Sequence, residues 1–113
     1  MRLYHYACSH SAAGIRADGF LRPHAQVLLG DVKLVWLTDM EVPDADALGL
    51  TSWTLRCDRT EHRFEVDYDA QRWVSYARGL TPEQRWALEI APGARPMHWW
   101  VSTESVPILR GVS

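Results

Sequence analysis

Leu3-Tyr4-His5-Tyr6-Ala7-Cys8 is the stretch of sequence from which the fold of this chain can be worked out. Its residues are aromatic or otherwise favour β-structure, and neither glycine nor proline interrupts them, which is typical of a strand. We therefore predict a first strand over residues 2–8. A histidine between two tyrosines is an unusual choice for packing alone, so His5 is the first candidate for a binding residue.

A short helix and a second strand are predicted after this stretch. Ser9 can cap the beginning of the helix, and Gly19 stands where a left-handed residue usually ends one. Residues 24–31 contain a Gly-Asp pair and are predicted to form a loop. Residues 32–38 are almost continuously apolar, which predicts a strand that is covered on both faces in the middle of a sheet.

Two segments with alternating hydrophobicity predict an antiparallel hairpin. Hydrophobic residues occupy every second position over residues 53–57 and again over residues 64–68, as in half-buried strands. Polar residues separate the two segments and can form the connecting turn. Residues 39–50, which precede the hairpin, are acidic and contain proline and glycine, so they are predicted to form a loop.

A helix is predicted after the hairpin, and a second helix follows it. Asp69 can cap the first helix. Thr81 and Gln84 have the spacing of a capping box at the beginning of the second helix. The apolar stripe predicted for the first helix consists of Trp73, Tyr76, Ala77 and Leu80.

The second helix and the last strand supply further candidates for the core. The helix is predicted to bury Trp86, Ala87 and Ile90. Residues 97–103 alternate and are predicted to form a strand, with Glu104 at its end. The chain has six tryptophans, and several of these bulky residues must face a core or a ligand.

The order of these elements predicts one compact α+β domain over residues 1–113, with a mostly antiparallel sheet of about five or six strands and two to three short helices. A chain that is 47% hydrophobic and 23% charged can bury a core of its own. The net charge of -2 gives no general reason to expect binding to nucleic acid or to an anionic membrane. Neither a membrane-spanning run nor a signal sequence is evident, so a cytoplasmic protein is expected.

Three features could carry chemistry, and each also has a simpler interpretation. His5 could bind a ribose hydroxyl while a neighbouring tyrosine stacks on a base, but a histidine bonded to nearby backbone is more common. Arg56, Arg59 and Arg63 could hold a diphosphate, although interleaved acidic residues weaken their field. Glu104 is either a lone catalytic carboxylate or a solvated residue at a strand end.

The cysteines and histidines do not form a recognisable metal site. Cys8, His10, Cys57 and His62 are donor types that zinc accepts, but neither a CxxC nor an HExxH spacing occurs. Glycine-rich GxGxxG and GxxxxGK loops are absent from the sequence as well. The sequence therefore predicts neither a metal nor a standard phosphate-binding loop.

Three segments of the sequence together resemble ADP-ribosyltransferase-like domains. Residues 3–6, followed by a helix and then by residues 19–23, are similar to the opening strand, helix and glycine turn of that family. Residues 35–38 resemble its second motif, an aromatic strand that ends in threonine or serine. Glu104 matches the position of its late glutamate. In length and order the chain is similar to small members, such as the DNA-targeting toxins and the RNA 2'-phosphotransferase-like proteins.

The resemblance implies that the chain consumes NAD and transfers ADP-ribose to a macromolecule or a nucleotide. It implies that His5 holds the nicotinamide-side ribose and that Trp36 is the aromatic residue of the second motif. Glu104, assisted by His5, is implied as the catalytic carboxylate. The residues expected to contact NAD are His5, Tyr6, Trp36, Thr38 and Arg59.

Departures from the family pattern leave other functions open. Ala7 stands where many members have threonine, and Glu65 and Glu89 compete with Glu104 for the role of the glutamate. One alternative is a non-catalytic module that binds a nucleotide or single-stranded nucleic acid by stacking bases on aromatic side chains. Another is a small protein-interaction domain with exposed aromatic residues. The sequence determines neither the acceptor, whether nucleic acid or protein, nor the oligomeric state.

Overall fold

The computed structural model describes residues 1–25, 32–42, 61–90 and 94–109. Its strands are β1 (Arg2–Ala7), β2 (Phe20–Leu21), β3 (His24–Ala25), β4 (Lys33–Thr38), β5 (His62–Asp67), β6 (Gln71–Arg72), β7 (Trp99–Ser102) and β8 (Val106–Pro107). Its α-helices are α1 (Ser9–Asp18), α2 (Trp73–Tyr76) and α3 (Pro82–Glu89), and short 3-10 helices cover Ala77–Gly79 and Pro96–His98. None of the helices in these ranges is long and apolar enough to cross a membrane.

The main sheet has the strand order β5-β1-β4-β7-β6, and β3 pairs with β4 beside this path. All strand pairs that the described residues form are antiparallel. Strands β2 and β8 form a separate two-stranded sheet. The predicted class, a compact α+β domain with a mostly antiparallel sheet, is confirmed.

Core residues cover both faces of the main sheet. Successive residues of β4 point to opposite faces, so Val35 and Leu37 belong to one cluster and Leu34 belongs to the other. This confirms the prediction of a central strand that is covered on both sides. The first-face cluster consists of Leu3, Leu21, Val35, Leu37, Val66 and Val106, and the second-face cluster of Leu34, Trp73, Ala77, Trp99 and Val101.

Three tryptophans from distant parts of the chain meet on the second face. The ring centroid of Trp36 lies 5.1 Å from that of Trp73 and 5.9 Å from that of Trp99. Trp73 is fully buried, and its Nε1–H donates a hydrogen bond to Glu89 Oε1 at 2.9 Å. The bond satisfies the one polar atom of a buried indole and ties α2 to α3.

Of the four helix caps predicted from the sequence, two are confirmed. Gly19 ends α1 with a left-handed φ of 77°. Thr81 and Gln84 make both hydrogen bonds of the capping box that begins α3. The predicted cap at Ser9 is wrong, because Cys8 occupies the N-cap position and Ser9 is the first helical residue.

Three other boundaries differ from the prediction. Residues 24–25 were expected in a loop, but they form β3 because the chain turns back beside the beginning of β4. Asp69 does not cap a helix, since residues 71–72 first pair with β7 as strand β6. The last strand was predicted from residue 97, but residues 96–98 form a 3-10 helix and β7 begins at Trp99.

The apolar stripe predicted for α3 is also wrong. The Trp86 side chain is 66% exposed and Ile90 is 52% exposed. Leu88 packs against the second-face cluster instead, and Glu89 turns inward to accept the Trp73 indole proton. The helix is thus oriented by a hydrogen bond that a buried indole requires, and the periodicity of its own sequence does not reveal this.

The second strand of the predicted hairpin is confirmed as β5, which buries Phe64 and Val66 at alternate positions. The first strand, predicted over residues 53–57, lies outside the described residues. The same holds for most of the predicted loop over residues 39–50, of which the structure describes residues 39–42. The pairing of β5 that the structure does describe is with β1, along the full length of both strands.

Replacing Trp73 by phenylalanine should destabilise the fold, whereas the same replacement at Trp86 should not. The smaller ring would leave a cavity and remove the donor that Glu89 accepts from, so we expect a loss of about 2–3 kcal/mol in the free energy of unfolding. Trp86→Phe should change it by less than about 0.5 kcal/mol. Urea denaturation followed by circular dichroism measures both, and equal losses in the two variants would contradict this account of the core.

Candidate functional site

His5 connects β1 to β4 through a side-chain hydrogen bond. Its Nδ1 lies 2.7 Å from the backbone carbonyl oxygen of Trp36. Because a carbonyl oxygen can only accept, Nδ1 carries a proton and donates it. The ladder between β1 and β4 contains a single register pair, Tyr4 with Thr38, so the His5 bond extends the contact between these strands.

The His5 ring and the Trp36 indole lie on opposite faces of the sheet. His5 pairs in register with Phe64, which packs with Ala12 of α1 on the first face. Trp36 pairs in register with Val101 and packs against the second-face cluster. The structure therefore brings the His5 ring to the backbone of Trp36, while the indole belongs to the tryptophan cluster.

Tyr6 holds the segment that follows β4. Its hydroxyl oxygen lies 2.8 Å from the carbonyl oxygens of both Met40 and Glu41, so its one proton is shared between them. Burial raises the pKa of the Tyr6 phenol, and the charge and hydrogen bond of Arg63 offset part of that effect. Arg63 also donates to the Glu41 carbonyl at 2.8 Å. Tyr6 thus holds two backbone positions, and Arg63 holds one of them, Glu41, as well.

The remaining predicted NAD contacts are Thr38 and Arg59. Thr38 is 3% exposed, and its hydroxyl oxygen accepts a hydrogen bond from the Met40 backbone N–H at 3.1 Å. This bond shapes the turn that leaves β4. Arg59 lies outside the described residues.

Glu104 lies in an open groove at the edge of the main sheet, with a volume of about 200 Å³. The walls come from the connection between β5 and β6, from α2 and from the end of β7. The Tyr68 hydroxyl lies 3.4 Å from Glu104 Oε2 and donates to it. The polar and aromatic residues of the lining include Tyr68, Asp69, Gln71, Tyr76, Thr103 and Glu104.

The backbone at Glu104 is fixed by Ser102. The Ser102 hydroxyl accepts the Glu104 backbone N–H at 3.1 Å and donates to the Glu104 carbonyl at 2.9 Å. Such a local turn restricts the directions in which the Glu104 side chain can leave the strand end. His5 and Trp36 are not among the residues that line this groove, so the described part of the chain places Glu104 and the β1–β4 contact in different surroundings.

The three candidate glutamates differ in their partners. Glu65 lies 2.6 Å from the guanidinium of Arg2, which neutralises it. Glu89 accepts from a tryptophan and lies 3.9 Å from Arg85. Among the described residues, no cationic side chain forms an ion pair with Glu104. Of the three, Glu104 is therefore the carboxylate that keeps its charge available to a ligand.

Sequence reasoning missed a carboxylate–histidine pair. Asp39 Oδ1 lies 2.7 Å from His98 Nδ1, and Asp39 Oδ2 accepts the Trp100 Nε1–H at 3.3 Å. The pair joins the end of β4 to the 3-10 helix before β7. Asp39 and His98 are 59 positions apart, so they become neighbours only once the pairing of β4 with β7 is known.

Ser9 and His62 also touch, but not as a nucleophile and its base. The Ser9 hydroxyl lies 2.9 Å from His62 Nε2, and the Arg16 guanidinium lies 3.1 Å from His62 Nδ1. Arginine can only donate, so Nδ1 accepts and Nε2 carries the proton that points at Ser9. A histidine in this tautomer cannot take the serine proton, which argues against acyl transfer at this position.

Comparison of the chain with known protein families, with curated proteins and with solved structures found no match. Among the described residues, no three His, Cys, Asp or Glu side chains come together in a way that could hold a metal ion. The choice between the candidate functions therefore depends on the geometry of the individual sites.

Tyr6→Phe should lower the stability at neutral pH, and the deficit should shrink at alkaline pH. The part-buried Met40 carbonyl loses its donor, whereas the Glu41 carbonyl keeps the bond from Arg63, so we expect a cost of about 1 kcal/mol. A raised phenol pKa means that the unfolded chain ionises first, so the contribution of Tyr6 is complete below its ordinary pKa of 10.0 and is lost as the pH rises through the folded value. Urea unfolding from about pH 7 to about pH 11 measures both effects.

Tyr76→Phe is the matched control, because no hydrogen bond joins the Tyr76 hydroxyl to another described residue. It should leave the alkaline loss of stability unchanged. If the difference in the free energy of unfolding between the wild type and Tyr6→Phe stayed constant over the whole pH range, the assignment of the alkaline loss of stability to Tyr6 would be contradicted.

Proposed function

We propose that the chain is an NAD-consuming ADP-ribosyltransferase-like protein in which Glu104 is the catalytic carboxylate. The observation that carries this proposal is the position of Glu104 in the wall of a groove, with a hydrogen bond from Tyr68. Cleavage of the bond to nicotinamide leaves positive charge on the ribose. A carboxylate aimed at that charge stabilises the transition state, by about 3–4 kcal/mol for one well-placed group.

The surroundings of Glu104 suit this role better than those of the other two candidate glutamates. A carboxylate that already pairs with a guanidinium, as Glu65 does with Arg2, has less attraction left for a developing cation. Glu89 serves the core by accepting the proton of a buried indole. The turn formed by Ser102 holds the backbone of Glu104, which limits the reorganisation needed when charge develops.

The family resemblance implies that His5 contacts the nicotinamide-side ribose, but its ring is not part of the groove at Glu104, so in this proposal His5 acts by positioning the β1–β4 region. Its hydrogen bond to the Trp36 carbonyl fixes the ring orientation and the Nδ1–H tautomer. Tyr6 and Thr38 act on the same region through the backbone, since both bond the segment that leaves β4. In this proposal they position the binding region rather than touch the cofactor. The acceptor is a macromolecule or a nucleotide.

Purified protein incubated with NAD should release nicotinamide, and Glu104→Gln should reduce the rate by about 100-fold or more. The variant keeps the size of the side chain and loses the charge that stabilises the transition state. Chromatographic separation of nicotinamide from NAD measures the rate. Glu83→Gln is the control, because it removes one negative charge from α3 at a position outside the groove.

Glu83→Gln should retain the wild-type rate, and circular dichroism should show both variants folded. His5→Ala should also reduce the rate. The proposal would be abandoned if the wild type released no nicotinamide, or if Glu104→Gln were as active as the wild type.

A further inference from the structure

We infer that the groove at Glu104 binds a small organic cation, an ammonium or guanidinium group of the size of a lysine or arginine side chain. The ligand is a molecule separate from NAD and its binding needs no NAD, so the inference goes beyond the proposed function. It follows from the charge, the size and the construction of the groove.

The charge of the lining favours a cation. Asp69 and Glu104 both belong to the walls, whereas lysine, arginine and histidine do not. Within the described ranges, neither carboxylate takes part in an ion pair. Arg72 follows the groove residue Gln71, but its guanidinium lies over the Trp100 ring at 5.2 Å and is not part of the lining. Like-charge repulsion therefore disfavours phosphates and carboxylates as ligands.

The size of the groove limits the ligand to a side-chain-sized group. Its volume of about 200 Å³ is smaller than that of sites for drug-sized molecules, which typically measure about 300–1,000 Å³. Tyr68 and Tyr76 belong to the lining, and aromatic residues of this kind are common partners of ammonium and guanidinium groups. Gln71 and Thr103 also belong to the lining, and both residue types carry uncharged oxygen acceptors for N–H groups.

Regular structure and local hydrogen bonds order part of the groove's backbone before a ligand arrives. Gln71 pairs in register with Val101, which is 1% exposed. Ser102 fixes the backbone of Glu104 by two hydrogen bonds. The hydrogen bond from Tyr68 to Glu104 is long, at 3.4 Å, and an arriving cation could take its place at the carboxylate at little cost. A backbone that is already ordered lowers the ordering cost of binding and so favours affinity.

An NMR titration without NAD tests the assignment with Nα-acetyl-lysine amide and its neutral isostere, Nα-acetyl-norleucine amide. The lysine compound should produce saturable amide shifts at residues 69–71 and 101–104, and the norleucine compound should not. Asp69→Asn should weaken the binding by about tenfold or more, because it removes one of two charges at the site. Glu83→Gln removes one negative charge as Asp69→Asn does, but outside the groove, and should bind like the wild type.

A third probe, n-butylammonium, distinguishes the sources of the cation. Equal affinity for n-butylammonium and the lysine compound indicates a free amine, and weaker binding of n-butylammonium indicates the side chain of a polypeptide. Absence of saturable shifts, equal binding of the norleucine compound, or unchanged binding by Asp69→Asn would each overturn the inference. Failure of the wild type to release nicotinamide would contradict the proposed function and would have no bearing on the inference that the groove binds a cation.

Discussion

The hydrogen bond from His5 Nδ1 to the Trp36 carbonyl lies at the contact on which the main sheet depends. In the strand order β5-β1-β4-β7-β6, the contact between β1 and β4 joins two parts that are each well paired internally. Only Tyr4 and Thr38 form a register pair across it. The Tyr6 side chain adds to this contact, since its hydroxyl bonds the backbone that follows β4.

The sparse pairing of β1 with β4 explains why the side chains of the β1–β4 contact and those of the groove at Glu104 have different functions. The β1–β4 contact uses His5, Tyr6 and Thr38 to bond backbone groups, so these residues serve the fold whatever else they contact. Glu104 lies beyond the last residue of β7, outside the strand pairing, and in the part of the chain that the structure describes no ion pair or core contact of its side chain holds the sheet together. A carboxylate in that position can be used for a ligand without a cost to the sheet.

The parts of the fold that could be predicted from the sequence are those whose causes are local. The apolar run of β4 indicates burial on both faces, and the capping box at Thr81 lies within four residues. The inward turn of Glu89 depends on a tryptophan 16 positions away, and the Asp39–His98 pair spans 59 positions. Strand β2 pairs with β8 across most of the chain, and two-residue strands carry no periodicity of their own.

In the candidate site, too, only the features with local causes could be predicted from the sequence. His5 and Glu104 could be named from a resemblance in order and position, but their partners could not, since the Trp36 carbonyl and the Tyr68 hydroxyl become neighbours only through strand pairing. The acidic lining of the groove was not foreseen either. It combines Asp69 from the β5–β6 connection with Glu104 from the end of β7, and the antiparallel pairing of β6 with β7 brings the two together.

The most direct measurement is a crystal structure of the Glu104→Gln variant with NAD bound. The account predicts that the nicotinamide-side ribose lies in the groove, within about 3.5 Å of the residue-104 side chain or the Tyr68 hydroxyl. It also predicts that the diphosphate lies outside the groove, away from Asp69. NAD bound with its ribose elsewhere on the protein, or a diphosphate seated between Asp69 and residue 104, would contradict the account.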